Sequence, residues 1–193
     1  MSADDADRWD ARHASGGRPA ARAPEALALA GLDDAGALAR STGGGTRALD
    51  VACGTGAATL WLAERGWSVT ALDVSPVAVA RLRDAAGDAG VAERVDALVV
   101  DLDHGLPDGL GGLDLVVCQR FRDPDVHAGL LGVLAPGGLC AVTVLSESGA
   151  DDPGPFHAPA GELARTFERA DLERLAHHEG DGTESIVVRL RPG

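Results

Sequence analysis

Two carboxylates and two glycines in this chain are spaced for ligand chemistry. Asp50 stands four residues before Gly54, Gly56 follows at once, and Asp73 closes the next apolar run. Glycines separated by one residue let a backbone turn sharply and let a ligand approach with no Cβ atoms in the way, so that main-chain N–H groups face it. A carboxylate at the mouth of such a turn repels a pyrophosphate and attracts an ammonium or sulfonium group. Asp73 follows Gly56 at about the spacing of an acid that meets ribose hydroxyls. Alone, a G-x-G turn is as often an ordinary turn, and Asp73 alone is a strand-end cap. Asp50, the glycines and Asp73 falling together in one strand–helix–strand unit favour the ligand.

The elements that must position these groups follow from the apolar pattern. Ala48, Leu49 and Val51 suit a buried strand, and a helix begins after Gly56 and ends before Gly66, with Trp61 in the core. Ser68 to Asp73 forms the second strand. Ser75 and Pro76 supply an N-cap and a first-turn proline for a helix that buries Val79, Leu82 and Ala86. VDALVVDLD is the third strand, ending at Asp101, and LDLVVCQRF the fourth. Asp123 and Pro124 open a helix striped by Val126, Leu130 and Leu134, and LCAVTVL is the fifth strand. A long loop from Ser146, a helix from about Ala160 to Ala170 and two final strands complete the chain. Such alternation predicts an α/β fold, Rossmann-like and doubly wound, with a seven-stranded sheet that is mostly parallel and an antiparallel last strand. Its ligands lie outside the carboxyl ends of the strands, which gathers Asp50, Asp73, Asp101 and Gln119.

The string from Asp50 to Gly56 resembles motif I of class I SAM-dependent methyltransferases, D/E-x-G-x-G-x-G, with Ala52 in place of the first glycine. The L-x-P-G-G-x run at Leu134 to Leu139 is similar to a second feature of that family. Trp9, Arg12 and His13 resemble the W-x-x-R-aromatic string of small methyltransferases of the tellurite-resistance and thiopurine type, with His13 replacing the aromatic. The resemblance covers about residues 46 to 145 and is architectural beyond them. It implies S-adenosyl-L-methionine (SAM) as cofactor and S-adenosyl-L-homocysteine as product. It assigns cofactor contacts to Asp50, Ala52, Cys53, Gly54, Gly56, Asp73, Val74, Cys118 and Gln119, with Asp101 and the backbone of Leu102 at the adenine. Residues 1–22 form an N-terminal segment in which Trp9 and Arg12 are either parts of a lid over the cofactor or parts of a loose tail. Residues 23–193 are expected to form one SAM-binding domain.

Methyl transfer from a sulfonium requires alignment more than acid–base help, and alignment alone is worth about 7–11 kcal/mol. A catalytic base is therefore not fixed by the sequence; candidates are Arg120, His157 and His13, with His104 and His127 as further histidines. Arg120 stands where many small-molecule relatives carry a histidine ahead of an aspartate-proline pair, here Asp123 and Pro124. It either grips an anionic group or closes a surface salt bridge. The string Cys118-Gln119-Arg120-Phe121 lacks the N/D-P-P-aromatic pattern of protein and DNA methylases, so a small-molecule acceptor is expected. A nicotinamide-dependent oxidoreductase is the weaker alternative, because Thr59 occupies the third glycine position of G-x-G-x-x-G and Asp50 would crowd a pyrophosphate. A protein that binds SAM without catalysis is the other.

Composition narrows partners and compartment. A chain of 193 residues can bury one sizeable core. Its net charge of −13 opposes a phosphate backbone, so no nucleic acid partner is expected. No apolar run is long enough to span a bilayer and the N-terminus is acidic, which predicts a cytoplasmic protein with no membrane partner. Cys53, Cys118 and Cys140 lie in or beside strands with no C-x-x-C pair, which predicts buried thiols and no metal.

Overall fold

The structure is a computed structural model and describes residues 3–15 and 17–193. Its elements in chain order are α1 (Ala3–Ala14), α2 (Glu25–Leu29), α3 (Ala35–Ser41), β1 (Arg47–Val51), α4 (Ala57–Ala63), β2 (Ser68–Asp73), α5 (Pro76–Asp88), β3 (Val95–Val99), β4 (Leu113–Gln119), α6 (Pro124–Gly129), β5 (Leu134–Leu145), α7 (Glu162–Thr166), β6 (Leu172–Gly180) and β7 (Thr183–Leu190). The seven strands form one sheet in the order β3-β2-β1-β4-β5-β7-β6. β1 pairs in parallel with both β2 and β4, and β7 runs antiparallel to β5 and β6. The expected seven-stranded, doubly wound sheet with an antiparallel last strand is therefore present. Strand order reverses between β1 and β4, and at such a switch the connections diverge to opposite faces and leave a crevice at the strands' carboxyl ends.

Strand parity sends alternate residues of β1 to opposite layers. Leu49 and Val51 join the core shared with Val126, Leu130 and Leu163, whereas Ala48 packs with Leu27, Leu38, Trp61 and Trp67 on the other face. Asp50 shares the parity of Ala48 and so points under α4. α5 packs Val79, Leu82, Ala85 and Ala86 against Leu60, Ala71 and Ala97. Its N-terminus is capped as the sequence predicts, with Ser75 Oγ accepting from Ala78 N at 3.0 Å.

Two expected boundaries move. The helix striped by Val126 ends at Gly129 and tightens into a 3-10 turn over Leu130–Val133, so Leu134 opens β5 opposite Leu113 instead of closing a helical stripe. The expected helix from 160 to 170 is the five-residue α7, set by Gly161 and by the buried Glu184 carboxylate, which accepts from Leu163 N and Ala164 N, each at 2.9 Å. Phe167 then leaves the helix to enter the core. No described helix is long and apolar enough to cross a membrane.

Candidate cofactor site

The segment between β1 and α4 alternates left-handed residues: Ala52, Gly54 and Gly56 have φ of 55°, 54° and 87°. Ala52 takes the strained conformation that the family's first glycine would take freely, a cost of about 1–2 kcal/mol. Cys53 N donates to Leu72 O at 2.9 Å and Gly56 N to Cys53 O at 2.9 Å, which ties the turn to β2 and closes it on itself. Gly54 N donates to Asp73 Oδ2 at 2.7 Å, and Asp73 Oδ1 accepts from Ser75 N at 2.9 Å. One carboxylate thus joins the glycine turn to the start of α5. Each of its oxygens keeps a second lone pair for a ligand hydroxyl.

Asp50 is not at the open mouth of the turn. It is 2 % exposed beneath it, where Oδ2 accepts from Thr59 Oγ1 at 2.6 Å. Burial pushes its carboxyl up to about 7, against the bonds from the Thr59 hydroxyl and backbone, and the Asp73 charge adds to the rise. The folded protein therefore holds this proton between about pH 4, where an unfolded aspartate loses it, and about pH 7. Over that window the native state binds more protons than the unfolded state, so this group's contribution to stability falls as pH rises, by no more than about 4 kcal/mol in total. Asp50→Asn should flatten that part of the profile, measured as urea midpoints from pH 5 to 8; parallel profiles for the two proteins would show that Asp50 ionises freely in the fold.

α1 crosses the same edge. Asp10 Oδ1 accepts from Ser75 Oγ and, at 3.2 Å, from Val77 N, so the helix caps α5 from outside. Arg81 reaches back from α5 to the carbonyls of His13 and Gly17. These bonds lay the His13 ring over the glycine turn, where a Cβ on Gly54 would lie 3.5 Å from His13 Cε1. Burial lowers the pKa of His13, offset by the Asp73 charge and reinforced by Arg12 and Arg81. Trp9 stacks on His13 with centroids 5.9 Å apart and planes at 23°, and the Arg12 guanidinium lies 5.5 Å from the Trp9 ring.

The remaining candidates divide. Asp101 is the N-cap of a 3-10 turn over Leu102–His104, with Oδ1 accepting from Asp103 N at 3.0 Å, and Leu102 is buried in the core. Val74 is buried beside Asp73, and Cys53 is half-buried in the turn. Cys118 turns its thiol into the core, 3.8 Å from His127 Nε2, and burial pushes it well above the ordinary thiol range; the residue is fully buried between β1 and β5. Gln119 Oε1 accepts from Glu25 N at 2.8 Å, and Arg120 pairs with Glu25 at 2.7 Å. Of the two roles open to Arg120, the structure forms the exposed salt bridge, a contact worth little by itself. His157 Nδ1 accepts from Gly154 N at 2.9 Å and serves the turn it sits in. His127 is fully buried, with burial lowering its pKa, and His104 is exposed beside Asp101 at 3.8 Å. Thr59, Asp10 and Arg81 are the partners sequence reasoning missed, since each acts across elements.

The groups fit a cofactor with hydroxyls: Asp73 ends β2 beside the turn with its carboxylate tied to Gly54 N and Ser75 N, and a pyrophosphate there would meet that acid. Residues 48–138 match the model of a methyltransferase domain. Rabbit (Oryctolagus cuniculus) glycine N-methyltransferase is 39% identical over 80 residues, which cover 37% of this chain and 27% of that protein. An uncharacterized methyltransferase of Synechocystis is 36% identical over 108 residues, 52% of this chain and 48% of that one. The chain thus spans half or less of the length of these two relatives. Among solved structures, TehB from Haemophilus influenzae superposes with a TM-score of 0.66 at 19% identity, over 82% of this chain and 62% of that one.

Proposed function

We propose that this chain is a class I, SAM-dependent methyltransferase that transfers a methyl group to a small-molecule acceptor by in-line displacement, a reading supported by the methyltransferase-domain match over residues 48–138. SAM, when bound, supplies a methyl group on a sulfonium, an electrophile that needs no further activation. The observation that carries the reading is Asp73, fixed by Gly54 N and Ser75 N at the carboxyl end of β2 beside the glycine turn. Asp73 accepts the ribose hydroxyls, Gly54 lets the cofactor approach the turn, Gly56 lets α5 pack close beneath it, and Asp101 with the Leu102 backbone meets the adenine. Asp50 acts from beneath the turn, where ionisation of its carboxyl offsets a bound cationic group. α1 is the cover that excludes water and holds the acceptor in line. Its position over the turn, and the net charge of −13, favour a small acceptor over a nucleic acid. His13 is the histidine that stands at the turn, and its lowered pKa leaves it a neutral proton acceptor at neutral pH for an acceptor that must be deprotonated.

Calorimetric titration checks this reading directly. SAM and S-adenosylhomocysteine should bind and NADH should not, and methyl release should then appear in a panel of thiols, phenols, amines and metalloid oxyanions. Saturable NADH binding with none for SAM would sink it.

A further inference from the structure

The chain has three tryptophans, three phenylalanines and no tyrosine. Trp61, Trp67 and Phe167 are buried in the core. The other three, Trp9, Phe121 and Phe156, all stand on segments at the carboxyl edge of the sheet. Phe156 is the most exposed of them, at 50%, although a bare aromatic on a loop contributes nothing to the core. The loop leaving β5 returns to it through Ala158 N donating to Leu145 O at 2.7 Å and Glu147 N to Ala158 O at 2.9 Å. Its tip is stiffened by Pro153 and Pro155, and the turn is closed on both sides of Gly154 by His157. Phe156 therefore reaches Trp9 with ring centroids 6.4 Å apart, and Trp9 in turn stacks on His13 over the glycine turn. A row of three rings runs from the candidate cofactor site out to the loop, with the Arg8 guanidinium beside its last two rings, 5.1 Å from Phe156 and 5.8 Å from Trp9.

We propose that Phe156 forms one wall of the methyl-acceptor pocket and selects acceptors that present a flat aromatic face. This rests on the methyltransferase reading and adds the acceptor class to it. A ring displayed at the end of a row of ring contacts, tilted at 56° to Trp9, gains from an offset or edge-on aromatic partner beyond plain area burial, and a saturated ring of equal size gains only the burial.

The probes are 2-naphthol and decahydro-2-naphthol, titrated calorimetrically into protein saturated with S-adenosylhomocysteine. The aromatic alcohol should bind the tighter. Phe156→Ala should weaken 2-naphthol by about three- to tenfold and abolish most of that preference, while Phe156→Tyr keeps it. Neither variant should change the affinity for S-adenosylhomocysteine, and both should stay folded by circular dichroism, since the side chain is outside the core. Equal affinity for the two alcohols, binding of neither, or a Phe156→Ala protein that still prefers 2-naphthol would overturn the assignment of the acceptor class and leave the cofactor reading intact. Failure of S-adenosylhomocysteine itself to bind would remove the methyltransferase reading, and the acceptor pocket with it.

Discussion

Asp73→Ala is expected to weaken SAM binding by at least tenfold, the largest loss of affinity from any single side chain at this site. A charge-assisted hydrogen bond is worth about 1.5–3 kcal/mol, so losing even one ribose hydroxyl contact accounts for a factor of ten or more. The structure adds a second cost. Asp73 also accepts from Gly54 N and Ser75 N, so its removal frees the glycine turn from the start of α5 as well as the ligand from the protein. Asp73→Asn separates the two effects poorly but informatively: its amide oxygen can serve one of the two N–H groups, while its NH2 meets the other donor to donor. The asparagine variant should therefore stay folded, by circular dichroism, and still bind SAM at least tenfold more weakly. A folded Asp73→Ala protein with the wild-type dissociation constant would mean that the ribose is held elsewhere.

That carboxylate was legible from the sequence because its environment is local: a strand, a two-residue exit and a capped helix fix where an acid after β2 must stand. The β strands, the Ser75 cap and the doubly wound class followed for the same reason, from short apolar runs and from the alternation of strands with helices. Asp50 shows the limit. Its position next to the turn was visible, but the face it serves depends on parity against α4, and its partner Thr59 lies nine residues away across the turn. α3 went unseen because Gly36 breaks an otherwise helical Ala-rich run, although Asp34 caps it with Oδ1 accepting from Ala37 N at 2.9 Å. The N-terminal segment was undecided between cover and tail, since nothing in its own sequence reports that Asp10 would cap α5 or that Arg81, on a distant helix, would hold the His13 carbonyl. Phe156 gave no signal beyond an aromatic residue in a proline-rich loop. Contacts between elements far apart in sequence were the part that periodicity and spacing could not carry.

Gly56→Ala is expected to be the most destabilising single-methyl change in the site. Gly56 has φ of 87°, so any other residue there adopts a left-handed backbone, at about 1–2 kcal/mol. The added Cβ would also fall inside the Leu82 side chain, 2.9 Å from both Cγ and Cδ2 and closer still to Cδ1. Leu82 is fully buried between α5 and the sheet and has no room to swing away, so overpacking adds about 1–3 kcal/mol. Together these predict a loss of about 2–5 kcal/mol, several degrees or more in thermal midpoint for a domain of this size. The double variant Gly56→Ala/Leu82→Ala separates the two causes. Leu82→Ala alone opens a cavity and costs stability, but in its background the Gly56→Ala step should cost only the backbone strain. Chemical denaturation of the four proteins of this cycle measures the coupling directly. A Gly56→Ala loss that is the same with Leu82 present or truncated would show that the left-handed backbone, and not the close approach of α5 to the turn, is what requires glycine here.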